Sequence, residues 1–228
     1  MRAARLYLFD IDGTLVRLEG AGRRAVEAAF GEVFSVSSPK EVFAPIRFDG
    51  NTDRAILQEA AARAQVPLER LDAERSRFEA EYVRTLEGIV RHLGRGCILP
   101  GVEALLAALT AAGDSVGLLT GNSEVGARAK LAPFDLNRFF PAGAFGSDHE
   151  DRVVLASLAR ERLEKLGGRR FTPEQVHVIG DSIMDVRAGR AHGFRTIAVL
   201  TGWTDRESLA AESPDLLLST LQEFPLLP

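Results

Sequence analysis

Leu6-Tyr7-Leu8-Phe9-Asp10-Ile11-Asp12-Gly13-Thr14 is the stretch whose reading decides the fold. An unbroken apolar run leads into two carboxylates one residue apart, followed by a glycine. Such a run suits a strand covered on both faces. Because it comes first in the chain, we expect it in the middle of a sheet, offering Asp10 and Asp12 at its C-terminal end, where open α/β sheets bind ligands. Two carboxylates this close repel unless a cation lies between them. The plainer reading is a turn, since Asp-Gly is a common turn dipeptide. It accounts for Asp12-Gly13 and leaves Asp10, directly after a buried run, unexplained.

The chain has 228 residues, enough for one large domain or two small ones. Its composition, 46% hydrophobic and 26% charged, is ordinary for a soluble globular protein. The net charge of −4 argues against a nucleic-acid partner, which selects a basic face. Cys97 is the single cysteine, which excludes an intramolecular disulfide and a cysteine metal cluster. No apolar run is long enough for a bilayer, and Arg2 and Arg5 lead into the Asp pair instead of a signal-peptide pattern. A cytoplasmic monomer or homodimer with no membrane partner is the expectation.

After the first strand the pattern turns helical. Ala25, Val26, Ala29, Phe30, Val33 and Phe34 recur at helical spacing, and Ser35 to Pro39 break the run. Asn51 or Asp53 can cap a second helix, and a third, longer one runs from Leu71 to Leu93. No strand is expected between Val16 and Arg95, so this block reads as a helical bundle inserted after strand one. From Pro100-Gly101 onward strands and helices alternate, the mark of a parallel sheet with helical crossovers. Strands are expected at Ser115–Leu119, Ala144–Gly146, Val176–Ile179, Thr196–Leu200 and Leu216–Leu218. Between them, helices are expected over Val102–Ala111, from Asn122 or Ser123 to Leu131, and over Arg152–Leu166 and Asp185–Ala191. Thr172-Pro173-Glu174 reads as a helix start, and Thr204 and Glu207 have capping-box spacing. The expected fold is α/β: a doubly wound parallel sheet formed by residues 1–15 and 96–228, carrying a helical cap of residues 16–95. Two chain crossings would form a hinge.

Three strand ends carry polar clusters: Asp10 and Asp12; Thr120, Gly121 and Asn122; and Gly180-Asp181-Ser182-Ile183-Met184-Asp185. Each alone is ordinary turn chemistry, but a doubly wound fold brings them to one edge. Asp10, Asp12 and Asp181 supply hard oxygen ligands with no soft partner, a set that suits Mg²⁺. Thr120 offers a hydroxyl, and the amides of Gly121 and Asn122 near a helix start offer an anion cradle. A cation, an anion cradle and a free carboxylate describe phosphoryl transfer to a carboxylate nucleophile.

Taken together, Phe9-Asp10-Ile11-Asp12-Gly13-Thr14, Thr120, the Gly180–Asp185 string and the helical insertion resemble the haloacid dehalogenase-like superfamily, in its phosphoglycolate-phosphatase-like branch with a helical cap. The resemblance implies that Asp10 attacks phosphorus and becomes an aspartyl-phosphate. It implies that Asp12 protonates the leaving alcohol and then activates water. It places Mg²⁺ on a carboxylate oxygen of Asp10, the backbone carbonyl of Asp12 and Asp181, with Asp185 assisting, and gives the phosphoryl oxygens to Thr120, Gly121 and Asn122. The family's third motif supplies a lysine where this chain reads Asp148-His149-Glu150-Asp151-Arg152. Arg152 is the candidate replacement, workable because arginine is always charged and binds phosphate in a fork. Lys130, on the preceding helix, is the alternative. An acid at Asp12 points to phosphate esters, since halide leaving groups need no proton.

The implied activity is a Mg²⁺-dependent phosphatase of small phosphorylated metabolites, phosphoglycolate-like or sugar phosphates. Alternatives are a phosphomutase of the β-phosphoglucomutase type and a non-catalytic aspartyl-phosphate switch. The loop Arg47–Arg54 offers Asn51 and Arg54 as selectivity residues. His92, His149, His177 and His192 read as surface or packing residues, with His149 noted for its closeness to Arg152. Cys97 reads as a small hydrophobe and Trp203 as packing at a strand end.

Overall fold

In the computed structural model, β1 (Leu6–Phe9) lies at the centre of a six-stranded, fully parallel sheet. The structure describes residues 3–93 and 97–225. β1 is flanked on one side by β2 (Ser115–Leu119) and then β3 (Gly143–Ala144). On the other side follow β4 (Val176–Gly180), β5 (Arg195–Val199) and β6 (Leu216–Leu218). The order β3-β2-β1-β4-β5-β6 is the doubly wound arrangement read from the sequence, and it puts the topological switch point between β1 and β4. All four β1 side chains are buried, as an apolar run covered on both faces requires.

The crossovers are helical. α6 (Val102–Ala111) precedes β2. α7 (Glu124–Leu131) follows it, and α8 (Arg152–Gly167) follows β3. α9 (Ile183–Ala191) joins β4 to β5, and α10 (Arg206–Ala211) joins β5 to β6. Gly117 in β2 has no side chain because Leu163 of α8 occupies that space; a Cβ there would lie 2.2 Å from a Leu163 methyl carbon.

Among the described residues, five helices stand between β1 and α6. They are α1 (Ala21–Phe34), α2 (Pro39–Phe43), α3 (Asp53–Arg63), α4 (Leu68–Ala73) and α5 (Arg75–Val90). α1 packs on α5, burying Phe30 and Phe34 against Phe78, Tyr82 and Leu86. The chain enters and leaves this insertion on adjacent strands: Val16 bridges Ile98, Arg17 N–H donates to the Cys97 carbonyl at 2.8 Å, and Leu99 N–H donates to Leu15 at 3.0 Å. The expected boundary at Arg95 and Gly96 lies outside the described residues.

Local expectations needed correcting in several places. The long third helix is two, because the chain turns at Glu74; this separates Leu71 from the spaced row Phe78, Tyr82, Leu86 and Val90 that α5 buries. The break at Ser35–Pro39 is followed by a short helix, with Pro39 at its first position and Phe43 buried. Thr172-Pro173 starts a single 3₁₀ turn, Pro173–Gln175, whose capping box is complete, before the apolar β4 run takes over. α10 is capped by Asp205, whose carboxylate accepts from Ser208 N–H, so Thr204 is not the cap. Among the described residues no helix is long and apolar enough to cross a membrane.

His177 in β4 stacks on Tyr7 of β1 with ring centroids 4.7 Å apart. Burial pushes its imidazole down to about 4, with Arg5 and Arg195 adding to the effect. Between that value and the ordinary value near 6.5 the unfolded chain binds a proton that the fold refuses. Stability is therefore lost as pH falls from about 6.5 towards 4. We expect the melting temperature of His177→Phe to fall less steeply than wild type across that window, measured by thermal unfolding at fixed ionic strength.

Candidate active site

The site is built from strand ends. Asp10 follows β1 and Asp181 follows β4, so the two strands at the switch point present their carboxylates side by side. Asp10 N–H extends the ladder by donating to Ile179 at 2.9 Å. Asp185 joins them from the first turn of α9. Its carboxylate accepts from Ser182 N–H at 3.1 Å and Ser182 Oγ at 2.6 Å, while Ser182 Oγ caps the helix. Asp10, Asp181 and Asp185 are all buried, and each offers an oxygen within 4.8 Å of the others.

Burial and the nearby carboxylates, only partly offset by Arg152, push Asp10 up to about 7. Burial, then Asp10 and Asp185, raise Asp181 well above the carboxylate range. Burial thus disfavours the ionised form of Asp10 and of Asp181, which is the condition a divalent cation relieves. Asp181 fits that purpose. Its Oδ2 is buried without a hydrogen-bond partner, while Oδ1 accepts from Thr14 Oγ at 3.3 Å. The backbone leaves space on that side: a Cβ on Gly13 would lie 2.5 Å from Asp181 Oδ2, and one on Gly202 1.6 Å from it. The donor set is hard oxygen throughout, as Mg²⁺ or a similar ion requires.

Arg152, the first residue of α8, is buried and grips Asp185, with its Nη1 also 3.6 Å from Asp10. Its Nε is buried and unpartnered. A Cβ on Gly121 would come within 2.9 Å of Arg152 Nη2, so the glycine leaves the guanidinium room.

A second cluster surrounds Asp12, whose side chain turns away from the three-carboxylate group. Lys130 Nζ donates to Asp12 Oδ2 at 2.5 Å and to Asn122 Oδ1 at 2.6 Å, and Asn122 Nδ2 donates to Asp12 Oδ2 at 2.9 Å. Burial works against the Lys130 charge, but Asp12, Tyr82 and Asp53 outweigh it and hold the ammonium above its ordinary range. Thr120 is fully buried; its hydroxyl accepts from the Asn122 amide at 3.3 Å and from Asn122 Nδ2 at 2.8 Å. Both candidate cations therefore sit at the site, each on a different carboxylate. Sequence reasoning used Asn122 for its backbone amide. It missed the side chain that fixes Asp12, and it missed Thr14 on Asp181, although Thr14 belongs to the opening stretch.

A cavity of about 500 Å³ opens over both clusters, lined by Asp10, Asp12, Asn122, Lys130, Arg152 and Asp181 on the core side. Arg23, Arg47, Phe48 and Asn51 line it from the helical insertion. Asn51 points its amide at the Arg47 carbonyl, 2.8 Å away. Arg54 lines a different cavity, of about 210 Å³, between α3, α4 and α5. His149 lies outside both linings and accepts from Asp151 N–H. Trp203 corrects the packing expectation: it is 60% exposed and stands in the lining of the larger cavity, with the Arg17 guanidinium 6.0 Å from its ring.

The family model for haloacid dehalogenase-like hydrolases matches residues 4–193. The chain belongs to that family of hydrolases. It is 33% identical over 147 residues to a phosphoglycolate phosphatase of Synechococcus elongatus, a match spanning 61% of this chain and 65% of that one. It is 28% identical over 223 residues to a phosphoglycolate phosphatase of Agrobacterium fabrum, covering 93% of this chain and 87% of the relative. The crystal structure of a predicted phosphoglycolate phosphatase from Haemophilus somnus 129PT superposes with a TM-score of 0.69 at 22% identity, covering 97% of this chain and 96% of that one. The last likeness bears on the fold.

Gly202→Ala should weaken divalent-cation binding by more than about tenfold, because the added methyl would displace the Asp181 carboxylate. Gly88→Ala is the matched control: it lies in α5, nothing stands within 4 Å of its Cβ position, and it should leave cation affinity unchanged. Calorimetric titration with Mg²⁺ checks both.

Proposed function

We propose that this chain is a Mg²⁺-dependent phosphatase of small phosphorylated metabolites that works through an aspartyl-phosphate on Asp10. The observation that carries the reading is the convergence of Asp10, Asp181 and Asp185 within 4.8 Å at the switch point, beside a fourth carboxylate, Asp12, held by its own cation. Asp10, the Asp12 backbone carbonyl and Asp181 would hold the ion, with Asp185 assisting. When bound, the ion neutralises the carboxylates and the incoming phosphate so that like charges can approach. Asp10 attacks phosphorus and the ester oxygen leaves. Asp12, its Oδ2 fixed by Lys130 and Asn122, gives that oxygen a proton and takes one from the water that later hydrolyses the acyl-phosphate.

Arg152 meets the phosphoryl oxygens with its unpartnered Nε, alongside Thr120 and the Gly121 and Asn122 amides. Lys130 keeps Asp12 in place, so the two cations divide the work that the sequence assigned to one of them.

Residues 16–95 act as the cap over this site. A cavity of about 500 Å³ suits a small leaving group. Arg23 and Arg47 in its lining suit a second negative charge on the substrate, as phosphoglycolate carries. The named relatives are phosphatases, which favours hydrolysis over the mutase reading.

A panel of small phosphate esters, with and without Mg²⁺, tests this. Wild type should release phosphate only with the divalent ion. Asp10→Asn should lose more than about a hundredfold in kcat, and Asp12→Ala roughly 10²–10⁴-fold. Equal turnover by wild type and Asp10→Asn would reject the nucleophile.

A further inference from the structure

Two of the helices that start at this site, α7 and α9, are capped differently. α9 carries its capping box within itself: Ser182 is the N-cap, and Asp185, three residues on, returns its carboxylate to the Ser182 amide at 3.1 Å. α7 has only half a box. Ser123 is its N-cap and accepts from Gly126 N–H at 3.3 Å, but the returning position is Gly126, which has no side chain.

The missing acceptor comes from the helical insertion. Asp53, the first residue of α3, accepts from the Ser123 amide at 2.7 Å with Oδ2, and its own amide donates to the Gly121 carbonyl at 2.7 Å. The glycine at 126 has a matching reason. A Cβ there would lie 2.7 Å from the Tyr82 ring of α5, so the insertion fills the space that a cis acceptor would need. Asp53 thus clamps both ends of Gly121-Asn122-Ser123, the segment whose middle side chain holds Asp12 and Lys130.

We propose that Asp53 is a positioning residue that completes the α7 cap in trans, so that the phosphate-binding loop and the Asp12–Asn122–Lys130 cluster are ordered only while the helical insertion is seated on the core. The catalytic consequence rests on the phosphatase reading above; the mechanical link does not.

Hydrogen–deuterium exchange on the full chain separates the two. In Asp53→Ala, amides of residues 122–126 should lose protection by about fivefold to tenfold, the size expected for a lost helix cap. Asp53→Asn keeps an acceptor and should stay within about threefold of wild type. α9, capped in cis, should be unchanged in both. On a small phosphate ester the Ala variant should lose about tenfold in kcat with KM little altered, and Asn should restore most of it. Asp53→Ser, too short to span the gap, replaces Ala if that variant does not fold.

Unchanged exchange at 122–126 in the Ala or Ser variant would overturn the proposal, as would equal loosening of α7 and α9. Loosened exchange with wild-type kcat in an active enzyme would overturn the catalytic part. Absence of phosphatase activity in wild type would instead count against the reading of function and leave the exchange result standing.

Discussion

The constraint on which the structure depends is the crowding of negative charge at the junction of β1 and β4. Three buried carboxylates share one space, and burial makes ionisation of two of them, Asp10 and Asp181, costly. The surroundings are organised around that cost. Arg152 covers one side of the group and Thr14 touches another, while Gly13 and Gly202 surrender their side chains so that Asp181 keeps an oxygen facing no donor. Asp12 is removed from the crowd by turning towards Lys130 and Asn122, so two acids two residues apart in the chain meet different environments. Different environments are what let two carboxyls take different tasks in one reaction.

The helical insertion shares in this arrangement. Its backbone reaches into the core loop: Asp53 N–H bonds to Gly121, and a Cβ on Gly121 would lie 2.2 Å from the Asn51 carbonyl oxygen. Gly146 is equally close-packed beneath, where a Cβ would fall 1.9 Å from the Gly121 oxygen. Three chain segments are stacked at backbone contact, and the small residues at 121 and 146 make that possible. The segments by which the chain enters and leaves the insertion are joined by the bridge between Val16 and Ile98.

Much of this was legible in the sequence. The apolar run before Asp10 placed a central strand, and alternation after Pro100 gave a parallel sheet, because both patterns follow directly from which faces are covered. The strand-end polar clusters located the site for the same reason. Side-chain partnerships were harder to read. Lys130 sits 118 positions away in sequence from Asp12, and only the packing of α7 under Asp12 brings them together. Asn122 looked like a turn residue because its amide chemistry is local, whereas its side-chain partners are set by the fold. Glu74 broke a helix whose apolar spacing continued through it, and Trp203 was assigned to packing because it follows Gly202 at a strand end. Arg54 and Asn51 lie three residues apart, yet Asn51 precedes the Thr52 cap while Arg54 lies inside α3, and they line different cavities.

The most direct test of the central claim is chemical trapping of the covalent intermediate. Wild-type protein mixed with a small phosphate ester and Mg²⁺, quenched with borohydride and mapped by mass spectrometry, should carry the reduced acyl group at Asp10, and should carry none when the divalent ion is chelated. A label on any other residue, or an equal label at Asp10 without the ion, would contradict the account.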